Sequence, residues 1–314
     1  MSDYRNRLPQ LSGDIYLTDA GLETDLIFNR GIAIREFAAH TLLSEKRGRD
    51  ALASYFRDFL SLANRHDAGF ILDTPTWKAH SHWAGDLGAT DCELRDANTE
   101  AVEFVSTIRQ EFSVNNKPIV INGVIGPKGD AYAPADRISV QEAENYHAKQ
   151  LAWLVGTEID MLTGMTFTQS DEAVGIVRAA QNVGLPIVIS FTVETNGCLP
   201  TGQSLGAAIQ SVDRQTGSGA AYYMVNCAHP DHFADQFKGH EWSRRIRGIR
   251  CNASRLSHRE LDACAVLDAG DPDELAEQYK LLVTNLPWLN VFGGCCGSDL
   301  RHIAKIIKVL GTNR

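Results

Sequence analysis

The chain alternates short apolar runs with longer amphipathic segments from residue 15 to its end. Most of the runs are rich in β-branched and apolar residues and lack strict polar alternation; they lie at 15–18, 70–73, 118–121, 159–162, 186–189, 222–225, 246–249 and 289–292. Runs of this kind are typical of parallel strands that are buried on both faces. The pattern therefore predicts eight parallel strands.

The segments between the runs have the spacing of amphipathic helices. Apolar residues recur every three or four positions over 52–63, 275–282 and 303–310. Asp271 and Pro272 indicate a helix start, since they fit an N-cap followed by a first-turn proline. Strands alternating with helices, without a linker or an internal repeat, predict an α/β fold. The simplest arrangement is a single (β/α)8 TIM barrel domain over residues 1–314, and a doubly wound open sheet is the alternative.

Composition narrows the partners that this barrel could have. The 314 residues carry a formal charge of −9, which argues against binding to nucleic acid or to an anionic membrane surface. Residues 1–10 are polar and unlike a signal peptide, and no apolar run is long enough to span a membrane. We therefore expect a cytoplasmic protein whose seven cysteines are reduced. The oligomeric state is left open.

Three of the cysteines follow predicted strands. Cys227 comes after the sixth run, and the adjacent Cys295 and Cys296 come after the eighth, in the glycine-rich turn 293–298. Active sites of (β/α)8 barrels lie at the C-terminal ends of the strands, so all three thiols should share one rim. Three thiolates suit Zn²⁺ and leave its fourth position open for a substrate. The alternative is that these are ordinary buried cysteines.

The type of ligand favours thiol chemistry over hydrolysis. Hydrolytic zinc sites use mainly nitrogen and carboxylate ligands, whereas three thiolates donate more charge and weaken the Lewis acidity of the metal. Such a site suits a substrate thiol, which would lose its proton on coordination and stay nucleophilic. The predicted reaction is therefore attack of a thiolate on an electrophilic carbon, such as the methyl group of a sulfonium.

Motifs over about residues 13–311 resemble those of the homocysteine S-methyltransferases. Residues 19–24 are similar to the opening Asp-Gly-Gly-x-x-Thr of that family, and residues 126–129 are similar to its Gly-Pro-x-Gly. The more specific matches are Asn226-Cys227 and residues 293–297, which match the zinc-ligand motifs.

The resemblance implies a zinc-dependent methyltransferase on a (β/α)8 barrel. Its expected partners are a small-molecule thiol, homocysteine in the first instance, and a sulfonium donor such as S-methylmethionine or S-adenosylmethionine. Zn²⁺ would be held by Cys227, Cys295 and Cys296, which are also the expected catalytic residues. The expected substrate-binding residues are Asp19, Gly21, Glu23, Thr24, Trp77, Met165 and Asn226.

Two positions depart from the family pattern. Met165 stands where the family has a Glu that helps to bind the substrate amino group, and Met cannot accept that hydrogen bond. Recognition of the amino group would then shift to Asp19 or Glu23, although Asp19 could equally bind nearby backbone N–H groups. Trp77 replaces a Tyr, and it either offers a face to the donor cation or is a plain rim aromatic.

These departures leave alternative functions open. The barrel could methylate another thiol or a selenol, or act as a lyase, and Met165 favours this group of hypotheses. A non-enzymatic zinc-binding barrel with a closed, four-ligand site is the remaining alternative.

Overall fold

The computed structural model describes residues 4–112, 117–131, 137–264 and 266–311, with only the backbone of Asp262. Eight parallel strands follow one another round a closed barrel, and β1 pairs with both β2 and β8. The strands are β1 (Tyr16–Leu17), β2 (Gly69–Asp73), β3 (Ile119–Ile125), β4 (Met161–Phe167), β5 (Ile187–Phe191), β6 (Ala220–Asn226), β7 (Ile246–Cys251) and β8 (Val291–Gly294). This order confirms the predicted (β/α)8 barrel and excludes the open sheet.

Helices surround the barrel and connect its strands. They are α1 (Leu22–Thr24), α2 (Lys46–Arg65), α3 (Ala84–Leu87), α4 (Asp91–Glu111), α5 (Val140–Leu154), α6 (Ser170–Asn182), α7 (Leu205–Thr216), α8 (Pro230–Phe233), α9 (His258–Asp262), α10 (Pro272–Asn285) and α11 (Leu300–Gly311). Short 3₁₀ and π turns, such as the π turn Asp25–Asn29, join several of them. None of the helices in the described ranges is long and apolar enough to cross a membrane.

The helix starts follow from local side-chain chemistry. Asp271 accepts hydrogen bonds from the backbone N–H groups of residues 273 and 274, as its place before Pro272 predicts. Thr90 and Glu93 form a reciprocal capping box at the start of α4, and α5 and α9 begin with the same device. These caps fix where each connection enters its helix.

Buried apolar residues form two layers. The larger one fills the space between the barrel and its helices, and the smaller one fills the barrel interior with Tyr16, Met161, Tyr222 and neighbouring side chains. Every residue of β2, β3, β4 and β5 is buried, as continuous apolar runs predict. The N-terminal segment covers the lower end of the barrel, where the fully buried Gln10 donates to the Tyr222 hydroxyl at 3.3 Å.

Strand limits differ most from the prediction at β4. The predicted run 159–162 overlaps only the first two residues of this strand, which begins at Met161 and extends to Phe167. A Cβ at Gly164 would lie 3.0 Å from the Phe167 ring, so a larger residue would crowd it. Met165 and Thr166 line a cavity. Gly164 and Thr166 interrupt the apolar run because of contacts with Phe167 and with the cavity, and such contacts cannot be predicted from the apolar pattern.

Candidate metal and thiol site

Cys227, Cys295 and Cys296 meet at the C-terminal end of the barrel. Their sulfur atoms all lie within 4.8 Å of one another, close enough for one metal ion to be shared. Cys227 follows β6 in a left-handed conformation with φ 52°, which turns the chain sharply at the end of the strand. Cys295 and Cys296 follow β8 through two glycines, and a Cβ on Gly293 would collide with the backbone oxygen of Asp19. The sequence prediction that the strands bring these thiols to one rim is therefore confirmed.

Two of the three sulfurs are bonded to each other in the structure. Cys227 and Cys295 form a disulfide with Cα atoms 5.3 Å apart, and Cys296 is not part of that bond. This corrects the expectation that all seven cysteines are free thiols. The physical reason is the same convergence of β6 and β8, because it brings side chains 68 residues apart in sequence into contact. Metal binding through these sulfurs would require the reduced pair.

Hydrogen bonds to their backbone groups hold Cys227 and Cys295 in place. The backbone N–H of Cys227 donates to the Arg250 carbonyl at 3.1 Å, and that of Cys295 donates to the Cys251 carbonyl at 2.9 Å. The Nε2 of His258, a residue that the sequence analysis missed, makes a short hydrogen bond to the Cys227 carbonyl. The Ser298 hydroxyl donates to the Cys295 carbonyl at 2.7 Å. The turn that carries the thiols is thus fixed from several strands.

Asn226 links the thiols to the neighbouring strands. Its side-chain oxygen accepts from the Ser190 hydroxyl at 2.6 Å and from the Thr166 N–H at 3.1 Å. Its Nδ2 donates to the Thr166 hydroxyl at 2.8 Å and points to the Cys295 sulfur at 3.9 Å. The position of Asn226 is therefore set by β4, β5 and β8 together.

A buried arginine lies beside the cysteines. Arg250 on β7 is 7% exposed, and its guanidinium forms ion pairs with Asp19 and Asp73. Its Nε also donates to the Gly294 carbonyl at 3.2 Å. Burial raises the pKa of the Asp19 carboxyl to about 7, against the opposing effect of Arg250. The sequence analysis did not identify Arg250, although a charged residue directly after the run 246–249 is the signal that could have found it.

The loop after β1 contacts the turn after β8. Gly21 has no room for a Cβ, which would lie 2.6 Å from the Cys295 carbonyl oxygen. The Thr24 hydroxyl donates to the Gly21 carbonyl at 3.0 Å and accepts from the Gly297 N–H at 3.2 Å. Glu23, between them in sequence, lines the adjoining cavity, and its burial raises the pKa of the carboxyl to about 7.

Trp77 and Met165 line the same cavity. The Trp77 indole N–H donates to the Met165 carbonyl at 3.1 Å, which fixes the plane of the ring. Met165 is 8% exposed and presents no carboxylate to the cavity. The Lys78 ammonium lies 5.7 Å from the Trp77 ring centroid and 3.7 Å from that of Trp83. The Lys78 ammonium therefore already lies near the face of Trp77, which the sequence indicated as a possible contact for the donor cation.

The three cysteines and the other candidate residues border one cavity of about 570 Å³. Its lining includes every candidate site residue from the sequence: Asp19, Gly21, Glu23, Thr24, Trp77, Met165, Asn226, Cys227, Cys295 and Cys296. Phe28, Phe37 and Val266 also line it and are exposed apolar side chains. A second cavity, of about 660 Å³, lies elsewhere beside Phe237 and Trp288 and contains none of the candidate residues. The cysteine cavity is large enough for small-molecule ligands.

Comparison with known families identifies a match over most of the chain. The model of the family described as Homocysteine S-methyltransferase matches residues 16–310. Methionine synthase of Mycobacterium leprae (strain TN) is 25% identical over 247 residues, which are 75% of this chain and 20% of that protein. Methionine synthase of Mycobacterium tuberculosis (strain ATCC 25618 / H37Rv) is 25% identical over 255 residues, or 77% of this chain and 20% of that protein. The chain thus spans about one fifth of the length of the curated relatives that it matches.

Solved structures share the fold. The oxidized form of the homocysteine methyltransferase MmuM from Escherichia coli has a TM-score of 0.76 at 16% identity, with 98% of each chain covered. The metallated form of the same protein has a TM-score of 0.74 at 16% identity, covering 94% of this chain and 96% of that one. At this identity the likeness supports the barrel fold, and the chemistry rests on the site residues.

Proposed function

The chain belongs to the homocysteine S-methyltransferase family, and from this premise we propose that it transfers a methyl group from a sulfonium donor to homocysteine, giving methionine. The observation that carries the proposal is the convergence of three cysteine sulfurs within 4.8 Å of one another on the wall of a cavity of about 570 Å³. Thiolate-rich sites favour binding of a further sulfur over activation of water.

The proposed cofactor is Zn²⁺, held by reduced Cys227, Cys295 and Cys296. The donor set fits this ion, because soft thiolate ligands select zinc and three protein ligands leave one position for substrate. When bound, the metal supplies a coordination position at which a substrate thiol loses its proton near neutral pH.

The side chains around the cysteines would orient the two substrates. Asn226 and His258 fix the turns that carry the sulfurs, and the close packing of Gly21 against Cys295 brings the β1 loop to the same wall. Glu23, Thr24 and Met165 would contact the acceptor, and Asp19 lies beside them in its ion pair with Arg250. Alignment of bound reactants can lower such a barrier by roughly 7–11 kcal/mol.

We assign the donor to the side of the cavity that includes Trp77 and the exposed Phe37. S-methylmethionine and S-adenosylmethionine both carry the required methyl-sulfonium. In the reaction, the acceptor thiolate attacks the methyl carbon and forms a new S–C bond. The old C–S bond breaks, and its electron pair stays on the departing thioether.

Met165 supports a second candidate acceptor class. Because its apolar side chain lies on the cavity wall, another thiol or a selenol could be the acceptor in place of homocysteine. The lyase and the non-enzymatic zinc barrel remain hypotheses that no contact in the described residues favours.

The proposal is tested with reduced, zinc-loaded protein and methyl-labelled donor. We expect labelled methionine to form from homocysteine with at least one of the two sulfonium donors. Cysteine and glutathione serve as comparison thiols. Turnover with another thiol and none with homocysteine would overturn the assignment of the acceptor while leaving the chemistry in place, and no transfer to any thiol would overturn both.

A further inference from the structure

The β1 loop carries two carboxylates that line the cavity, and they differ in what they already bind. Asp19 is held in an ion pair by Arg250, and its side chain is only 4% exposed. Arg250 also binds Asp73 on its other side, and Asp73 in turn accepts from the Asn122 amide at 2.7 Å. Asp19 is thus one member of a closed buried network, and a ligand would have to compete with a guanidinium for it.

Glu23 has no such partner. Among the residues that the structure describes, no other side chain forms a hydrogen bond or ion pair with its carboxylate, which lines the cavity and is partly exposed. The two cations that act electrostatically on Glu23, Lys78 and Arg250, are bound to other groups. Lys78 donates to the Glu36 carbonyl at 2.8 Å and stacks on Trp83, and Arg250 binds its two aspartates.

A carboxylate in this position has an electrostatic reason to bind a cation. Burial raises the pKa of Glu23 to about 7 because its ionised form lacks full solvation. A ligand ammonium beside it would restore that lost stabilisation through a charge-assisted hydrogen bond. Met165, on the same cavity, cannot make this contact.

We propose that the Glu23 carboxylate binds the ammonium group of the acceptor, so that the site selects thiols that carry an amino group. This inference rests on the proposed function, in that the bound molecule is taken to be a thiol or its methylated product. It places amino-group recognition on the β1 loop, with Asp19 reserved for the Arg250 network.

The test uses product binding, which requires neither turnover nor a metal. Methionine and 4-(methylthio)butanoate differ only in the amino group, and calorimetry gives the affinity of each for the protein. We expect wild type to prefer methionine by about 10- to 100-fold, the value of one charge-assisted contact. We expect Glu23→Gln to remove that preference while binding of the amine-free compound stays within about 2-fold of wild type.

Two further variants make the result specific. Glu36→Gln is the matched control, because Glu36 is an exposed glutamate that does not line the cavity, and it should keep the wild-type preference. Met165→Glu in the Glu23→Gln background should restore part of the preference by supplying a carboxylate from β4. If Glu23→Gln fails to fold, Glu23→Asp takes its place and should keep the preference at reduced size.

Failure of this inference is distinguishable from failure of the proposed function. No methionine preference in wild type, or an undiminished preference in Glu23→Gln, would overturn the role of Glu23. An equal loss of affinity for both compounds would also overturn it, because that result indicates a structural role in the β1 loop. A Glu23-dependent preference in a protein that does not methylate homocysteine would support Glu23 and overturn the proposed function.

Discussion

Two acidic side chains, Asp160 at the N-terminal end of the barrel and Glu23 at the C-terminal end, differ in how many hydrogen-bond donors surround them. At the N-terminal end, Asp160 is fully buried and accepts from the Tyr4 N–H at 2.9 Å, the Ile121 N–H at 2.8 Å and Arg109 at 3.1 Å. At the C-terminal end, Glu23 lines a cavity without a comparable set of donors among the described residues. A carboxylate whose oxygens are saturated by donors stabilises the fold, whereas one that no other side chain binds is available to a ligand.

Asp160→Ala should give the largest change, and the change should be in stability. Removing the carboxylate leaves the Tyr4 and Ile121 N–H groups and the buried end of Arg109 without their acceptor. We expect a loss of about 3–5 kcal/mol in the free energy of unfolding, measured by urea denaturation. Asp235→Asn is the control, because that exposed ion pair with Lys238 should contribute less than about 1 kcal/mol. A loss below 1 kcal/mol for Asp160→Ala would remove the contrast between the two ends.

Cys296→Ala should change zinc affinity and methyl transfer, and it should leave stability almost unchanged. The substitution removes a proposed zinc ligand and should lower zinc affinity and methyl transfer by more than about 100-fold. The unfolding free energy of the metal-free protein should change little, because the Cys296 side chain is only partly buried. Metal content and transfer rate are measured together, with the exposed Cys92→Ala as the control. Wild-type zinc affinity in Cys296→Ala would contradict the three-cysteine site.

Glu23→Gln should stabilise the protein at pH 8 and leave it almost unchanged at pH 4. The pKa of Glu23 is raised from 4.5 to about 7 on folding, so the folded state binds more protons than the unfolded state between these values. Stability of the wild type therefore falls as the pH rises through this window. Urea titrations should show a gain of about 1–2 kcal/mol at pH 8. An equal effect at both pH values would show that the charge is not its cause.

Thr90→Ala should give the smallest effect, because Thr90 is an exposed helix cap outside the cavity. Thr90 caps α4 through a reciprocal contact with Glu93, and its loss should cost about 1 kcal/mol. Methyl transfer per folded molecule should be unchanged, since Thr90 does not line the cavity. A selective drop in transfer rate at unchanged stability would contradict this assignment.

Much of the architecture could be predicted from the apolar pattern. Each of the eight runs overlaps one of the eight strands, and placing Cys227 and Cys295 after β6 and β8 was enough to predict their convergence. Asp271 was also identified correctly as a helix cap. These features depend on local sequence and on the geometry that all parallel barrels share.

The remaining features depend on contacts between distant strands. Arg250 pairs with aspartates 231 and 177 residues away, so its role is not visible from its neighbours in sequence. The disulfide likewise depends on the close approach of β6 and β8. The sequence left Asp19 and Glu23 as two alternatives for amino-group recognition, and the ion pair of Asp19 with Arg250 distinguishes them.

Zinc X-ray absorption of the reduced protein, with and without homocysteine, tests the proposed thiol-binding site most directly. We expect three sulfur neighbours and one lighter atom at zinc in the free protein, and four sulfur neighbours after homocysteine is added. Cys296→Ala should lose one sulfur in both states. Four protein ligands that do not change when the thiol is added would contradict the proposed thiol-binding site and would favour a structural metal.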